Sequence, residues 1–349
     1  TFFKCEAFDK QSNSLNNLAL EKINNIEISN FKSIKHLKID GCKKINVFVG
    51  MPNAGKSNIL EALGLFGYIN HPPYLKEISD FIRFYNSYQL CFNGNVKENI
   101  KININNLGKL NITLKRESLD NAFFEIGTLK YNFIRNDGTT SNLVSETDFS
   151  MIKKYDFKNI NVQKINDITL DFPFGENIGQ IISQNDKLRY IVTQYLKKDN
   201  LKSVIKTGNY EFAIQKDLKD GTVFELPYNM IADTLQRLIF YKSAIMSNEN
   251  TVLLFEEPEA HCFEPYILEF TNGVKYDENE NQFFIVTHSD FIIKEFLRDE
   301  ESKENTNIYL VNNVDGETQV KLLEKDKNED VYEFGMNPFF NFESLWETN

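Results

Sequence analysis

Short apolar runs punctuate the chain and mark its scaffold. Ile45–Val49, Thr251–Phe255 and Gln282–Val286 are almost wholly apolar over strand length, the pattern of β-strands covered on both faces in a parallel sheet. Elsewhere the pattern alternates. Lys101–Ile104 and Leu110–Lys115 switch between polar and apolar at every residue, which predicts antiparallel strands with one face covered, and Asn136-Asp137-Gly138 supplies a turn. Two more strands are expected over 307–311 and 319–323. A helical pattern follows Ser57 as far as Tyr68, and a second helix is expected from Phe291 to Leu297, capped by Ser289 or Asp290. Between 146 and 206 the pattern is mixed, with Ile181, Ile182, Leu188, Ile191, Val192, Tyr195 and Leu196 near helical spacing. No heptad repeat is sustained, which excludes long coiled-coil arms.

The two ends read differently. Residues 1–22 are polar and rich in asparagine, the composition of an arm that orders against a partner. Pro338–Trp346 is aromatic and holds the sole tryptophan. It is expected to dock in a groove, either on its own body or on a partner.

Composition narrows the functional classes. The chain has 349 residues and a net charge of −11, so its surface as a whole is not a nucleic-acid footprint. Lys35, Lys38, Lys43 and Lys44, and Lys197, Lys198, Lys202 and Lys206, form local basic clusters that leave DNA binding open without favouring it. No apolar stretch reaches the length of a membrane span, and no leader is evident. Cys5, Cys42, Cys91 and Cys262 are widely spaced, so neither a zinc site nor a disulfide framework is indicated. A soluble protein in a reducing, cytoplasmic compartment is expected.

The candidate chemistry lies where the apolar runs end. Gly50-Met51-Pro52-Asn53-Ala54-Gly55-Lys56-Ser57 spells G-x-x-x-x-G-K-S between a strand and a helix, the setting a phosphate-binding P-loop requires. Two glycines let backbone N–H groups curl around a phosphate, Lys56 brings a positive charge to it, and the Ser57 hydroxyl suits Mg²⁺. ATP with Mg²⁺ is the expected ligand. The run to Phe255 ends in Glu256-Glu257-Pro258-Glu259. At a strand tip, Glu256 is expected to hold the metal and Glu257 to orient or deprotonate the attacking water. The run to Val286 ends in Thr287-His288-Ser289, where His288 can polarise the γ-phosphate.

These blocks, with the opening Ile26-Glu27-Ile28-Ser29-Asn30-Phe31-Lys32-Ser33-Ile34, resemble the ABC-type ATPase heads of the RecF, structural-maintenance-of-chromosomes (SMC) and OLD group. The loop, the acidic motif and the histidine motif are most similar to OLD-like ATPases. The resemblance brackets residues 23–312 and matches nothing between 70 and 205. It implies an α/β fold, a P-loop NTPase of the ABC-type head kind with an antiparallel β-subdomain and a helical lobe. The implied organisation is an extension (1–22), an N-terminal lobe with the P-loop and β-subdomain (23–145), a helical lobe (146–228), a C-terminal lobe (229–325) and a tail (326–349).

Site roles follow from the same resemblance. Lys32, Asn53, Ala54, Gly55, Lys56, Ser57, Asn58, Asp233 and Thr234 are expected at the nucleotide, Ser57 and Glu256 at the metal, and Glu257 and His288 in catalysis. Gln89 is a candidate for the glutamine that completes the Mg²⁺ shell. Two departures stand out. Thr234 occupies the glycine position of the signature that reaches a partner subunit's γ-phosphate, and His261-Cys262-Phe263-Glu264-Pro265 replaces the usual His-x-His-Pro. The 61 residues after His288 are too few for the Toprim nuclease domain of OLD nucleases. The expectation is therefore an ATPase subunit of a bacterial antiphage defence complex, a homo-oligomer with ATP at its interfaces that controls a separate effector such as a Toprim-type nuclease. A RecF-like ATPase that clamps DNA and a nucleotide-gated scaffold with little turnover are the alternatives.

Overall fold

Strand by strand, the chain builds two large sheets around one helix. The computed structural model describes residues 22–70, 77–105, 108–116, 122–126, 129–132, 151–163, 167–206 and 211–348; the expected arm up to residue 21 and the turn at Asn136 lie outside them. The hairpin β1 (Ile26–Phe31) and β2 (Ile34–Ile39) buries alternate residues, whereas β3 (Ile45–Val49) is buried throughout. The P-loop sequence joins β3 to α1 (Lys56–Asn70). β4 (Ile100–Ile104), β5 (Gly108–Arg116), β6 (Ala122–Ile126) and β7 (Leu129–Asn132) extend the hairpin into a six-stranded antiparallel sheet, ordered β2-β1-β4-β5-β6-β7.

The chain then returns with β8 (Ile152–Tyr155), α2 (Ile178–Gln184) and α3 (Asp186–Lys198). A three-stranded antiparallel sheet follows, β9 (Lys202–Lys206), β10 (Glu211–Asp217) and β11 (Val223–Pro227). The last third runs α4 (Asp233–Ser247), β12 (Val252–Glu256), α5 (Glu264–Lys275), β13 (Gln282–Val286), α6 (Asp290–Leu297), α7 (Glu300–Glu304), β14 (Thr306–Val314), β15 (Glu317–Leu322), α8 (Lys325–Tyr332) and α9 (Phe342–Thr348).

The central sheet is ordered β15-β14-β3-β13-β12-β8. Every pairing in it is parallel except that of the edge strand β15. Side-chain alternation divides its core in two. Leu254 and Phe284 face α1 and the antiparallel sheet, packing with Ile28, Phe31, Ile59, Leu63 and Phe66. Leu253, Phe255, Phe283 and Ile285 face the other way, onto Ile239 and Phe240 of α4, Phe270 of α5 and Ile292 of α6. Helix α1 is thus enclosed between two sheets, which holds the P-loop at its N-terminus.

The stretch 146–228 differs from the helical lobe expected there. It opens with β8, a strand of the central sheet, and closes with the three-stranded sheet, so α2 and α3 are only its middle. β8 escapes pattern reading because Lys153 and Lys154 sit at its centre, yet all four positions are buried. Burial is tolerated because each ammonium is engaged. Lys153 donates to Thr169 Oγ1 and Asn248 Oδ1, each at 2.8 Å, and Lys154 donates to Phe81 O and pairs with Glu256, each at 3.3 Å. The aromatic tail docks on the chain's own body, with Phe342 and Leu345 buried in the core beside α6 and Trp346 packed against it. Among the described residues no helix is long and apolar enough to cross a membrane.

Close packing of α1 on β8 depends on Gly67, where a Cβ would lie 2.2 Å from the carbonyl oxygen of Ile152. Gly67→Ala is expected to destabilise the fold by about 1–3 kcal/mol, because backbone must move to admit the methyl. Gly64→Ala, on the same helix, meets only the Lys154 side chain at 3.5 Å. It should be neutral or stabilising by up to about 1 kcal/mol. Denaturant titration of the pair checks both, and equal midpoints would contradict the packing argument.

Candidate active site

In-register parallel pairing sets the site. Phe48 of β3 lies beside Val286 of β13, Val286 beside Glu256 of β12, and Phe255 beside Tyr155 of β8. The residues just past these strands, Gly50, Thr287, Glu257 and Asp156, therefore share one edge, the C-terminal edge where α/β sheets bind ligands.

The loop from β3 to α1 is built around absent side chains. Gly55 has φ +96°, and a Cβ there would fall 2.0 Å from Thr318 Oγ1 and 2.7 Å from Ser33 Oγ. Asn53 also takes a left-handed φ, +62°, a conformation asparagine accepts better than most residues. Behind the loop runs a directed chain of hydrogen bonds. Asn58 Nδ2 donates to Ser33 Oγ at 2.6 Å, Ser33 Oγ meets Thr318 Oγ1 at 2.6 Å, and Thr318 Oγ1 donates to Ala54 O at 3.0 Å. Asn58, expected at the nucleotide, is thus a brace beneath the loop. Ala54 is buried and contributes its backbone.

Lys56 is folded into the loop. Its ammonium donates to the carbonyl oxygens of Gly50 and Met51, both at 2.9 Å, and the residue is 4% exposed. Burial pulls its pKa down to about 8, against the opposing pull of Glu257, Glu256 and Glu259. The ammonium is therefore poised to exchange two carbonyls for a phosphate.

The two expected metal ligands are neighbours: the Ser57 hydroxyl is one of the groups that favour the ionised Glu256 carboxylate. Burial pushes the pKa of Glu256 up, but Lys154, Ser57 and Arg83 outweigh it and hold the group below its ordinary value. Asp156 stands next in register, its own pKa raised by burial against the pull of Lys154. A hydroxyl and adjoining carboxylates are hard oxygen donors that suit Mg²⁺, which takes only one or two protein ligands in nucleotide sites. Among the described residues no cluster of three or more His, Cys, Asp or Glu could hold a metal by itself, and a magnesium shared with phosphates needs none. Gln89 is not part of this group. Its Oε1 accepts the N–H groups of Tyr85 and Asn86, at 2.7 and 3.0 Å, in an exposed turn of its own.

An ion ladder runs from the first strand to this carboxylate. Lys32 and Arg83 both bind Glu61, which is fully buried, and Arg83 Nη2 reaches Glu256 Oε1 at 2.7 Å. Lys32 also donates to Arg83 O at 2.7 Å, and burial lowers its pKa although Glu61 raises it. Lys32 is expected at the nucleotide; here it is satisfied by Glu61, a buried carboxylate on α1 that also accepts the Arg83 N–H at 3.3 Å. Arg83, Glu61, Lys154 and Asp156 were not anticipated. They lie in segments without recognisable motifs, and only the tertiary pairing reveals them.

Glu257 and His288, expected in separate catalytic roles, face each other, with Oε1 and Nε2 3.4 Å apart. Glu257 holds a left-handed φ of +45° while its N–H bonds to Val286 O at 2.8 Å. A glutamate in that region is strained, a condition that concentrates at functional sites. Burial lowers the pKa of His288, Lys56 lowers it further, and Glu257 opposes both, which favours the neutral imidazole. Glu259 fixes the turn below it. Its Oε1 accepts Thr287 Oγ1–H at 2.8 Å and the His288 N–H at 2.6 Å. By contrast His261 is exposed, and Asp233 at the start of α4 pairs with Arg237 at 2.8 Å, whose guanidinium lies 4.5 Å from the Phe157 ring centroid. Among the described residues no hydrogen bond or ion pair joins Asp233 or Thr234 to the loop 50–57.

Comparison with known proteins bears on the fold. No family model matches the chain. It is 25% identical over 342 residues to an ATP/GTP phosphatase of Helicobacter pylori, covering 82% of this chain and 91% of that protein. It is also 33% identical over 104 residues to an uncharacterized protein of Methanocaldococcus jannaschii, covering 28% of this chain and 48% of that one. Among solved structures it is similar to an SMC head bound to the C-terminal winged-helix domain of ScpA, with a TM-score of 0.52 and 15% identity over 88% of this chain and 99% of the other. An SMC head with an extended coiled coil, bound to the C-terminal domain of ScpA derived from Pyrococcus furiosus, superposes with a TM-score of 0.51 and 14% identity over 89% and 98%. The chain thus has an α/β P-loop NTPase fold of the ABC-type head kind.

The role of Glu259 is open to a direct check. Glu259→Ala removes the acceptor of two hydrogen bonds, one half-buried and one exposed, and should cost about 0.5–1.5 kcal/mol of stability. Glu259→Gln keeps an accepting oxygen and should cost less. Faster amide exchange at His288, whose N–H Glu259 accepts, is expected in the alanine variant, and unchanged exchange would remove Glu259 from this role.

Proposed function

We propose that the chain binds ATP with Mg²⁺ at the β3–α1 loop and hydrolyses it. The single observation that carries this reading is the convergence of Lys56, the Ser57–Glu256 pair and the Glu257–His288 pair on one sheet edge. The similarity to an ATP/GTP phosphatase over 82% of the chain supports hydrolysis as the reaction class. Lys56 leaves the carbonyls of Gly50 and Met51 for the β- and γ-phosphates, beside the N-terminus of α1. Ser57 and Glu256 would hold the magnesium, which when bound would neutralise phosphate charge. Glu257 positions a water for attack and draws off its proton, and His288 at its side hydrogen-bonds the γ-phosphate oxygens.

The wider role we infer is that of a nucleotide-controlled subunit in a bacterial antiphage defence complex. ATP would sit at interfaces between copies, reached by Asp233 and Thr234 of a neighbouring copy, and the assembly would restrain a separate effector of the Toprim nuclease kind. The OLD-like motifs and the acidic surface support it. Thr234 in the glycine position favours a second reading, a scaffold that binds ATP and scarcely turns it over. A RecF-like DNA clamp has less support, since the net charge is −11.

Lys56→Ala should weaken triphosphate binding by about 10- to 100-fold, the worth of a charge-assisted hydrogen bond. Glu257→Gln should bind normally but turn over about 10²–10⁴-fold more slowly. Calorimetry and phosphate release decide: unchanged binding in Lys56→Ala sinks the site, and no turnover in the wild type selects the scaffold. Affinity should also depend on pH. The free protein loses the Lys56 proton near pH 8, whereas bound phosphates would retain it. Affinity is therefore level below that pH and falls above it, by up to about tenfold per pH unit, as titrations from about pH 6.5 to 9.5 would record.

A further inference from the structure

The segment 336–348 brings one residue, Phe339, to the active-site histidine. Asn337 organises it, its Oδ1 accepting the N–H of Phe339 at 2.9 Å and of Phe340 at 3.2 Å, while Asn341 Nδ2 returns a bond to Asn337 O at 2.9 Å. Two anchors hold the far end. Phe342 and Leu345 are 3% and 2% exposed, and the Trp346 ring stacks on Phe342 with centroids 6.2 Å apart. Lys321 of β15 donates to Trp346 O at 2.7 Å and lies 4.8 Å from the centroid of its ring. The near end meets the active site: the Phe339 ring lies 6.1 Å from the His288 imidazole, centroid to centroid, with planes 25° apart. That is an offset stack of the favourable kind.

Two contacts therefore set the orientation of His288, Glu257 at its edge and Phe339 on its face. The charged groups that act on the imidazole are Glu257 and Lys56, and Glu259 holds its backbone N–H. None of them constrains the ring plane as a stacked aromatic does. We propose that Phe339 is a positioning residue for His288, and that segment 336–348 is a strap whose stack on His288 is released when the imidazole turns to a bound γ-phosphate. This rests on the reading of the site as a triphosphate site. Nucleotide occupancy would thereby reach residues 336–348, where Phe340 is 92% exposed, without a change in the central sheet.

Trp346, the sole tryptophan, reports on the strap in the full chain. Saturation with Mg²⁺ and a nonhydrolysable ATP analogue should shift its emission. The same addition should abolish the ring-current shift that Phe339 imposes on the His288 protons in NMR spectra. Phe339→Ala should lack that ring-current shift without nucleotide, lose the tryptophan response, and bind the analogue about two- to tenfold more tightly, since no stack has to be broken. Phe339→Leu preserves the apolar packing and should likewise lack the ring-current shift, while Phe339→Tyr should restore wild-type behaviour. If calorimetry shows the analogue bound but the Trp346 emission and His288 protons unmoved, or if Phe339→Ala binds no more tightly, the strap is refuted. If no triphosphate binds, the nucleotide reading fails instead. The nucleotide-free comparison of wild type with Phe339→Ala and Phe339→Leu still decides whether Phe339 positions His288.

Discussion

Parallel strands paired in register deliver their ends to a common line, and four of them do so here. Had β12 slipped by one residue against β13, Glu256 would lie on the opposite face and leave Ser57. The register is held by burial on both sides. Phe283 and Phe284 point into different cores, so neither can exchange places with a neighbour without exposing a phenyl ring or filling a packed space. Hydrophobic packing thus sets which side chains meet at the sheet edge. The loop chemistry adds little of its own stability and borrows rigidity from the sheet.

Charged groups crowd that line. Lys32, Arg83 and Lys154 surround Glu61 and Glu256 in a region partly closed to water, and burial raises the pKa of Asp156 beside them. Buried ions survive only when each finds a partner, and the ladder meets that demand in the free protein by linking segments that are remote in sequence.

How much of this was legible beforehand follows from the kind of signal each residue leaves. β3, β12 and β13 are visible because continuous burial demands continuous apolarity, and Lys56 because a phosphate cradle needs its glycines at fixed spacing. Position in a motif does not say how a side chain is satisfied. Asn58 lies two residues past the lysine yet turns behind the loop, and Lys32 answers a carboxylate that no motif contains. β8 was hidden by two lysines whose partners come from other segments, and Arg83 by its separation of 173 residues from Glu256. Local pattern carries local structure; an ion pair between remote segments writes no local pattern at all.

Thr318 has a consequence for how the molecule comes into being. Its hydroxyl fills the space that Gly55 leaves empty and bonds Ala54 from 264 residues away. During synthesis the P-loop emerges early, yet its final wall is made only when β15 leaves the ribosome. Nascent chains of intermediate length would carry the phosphate-loop sequence without its finished shape. The finished shape of the loop thus arrives late in synthesis, set by a residue near the other end of the chain.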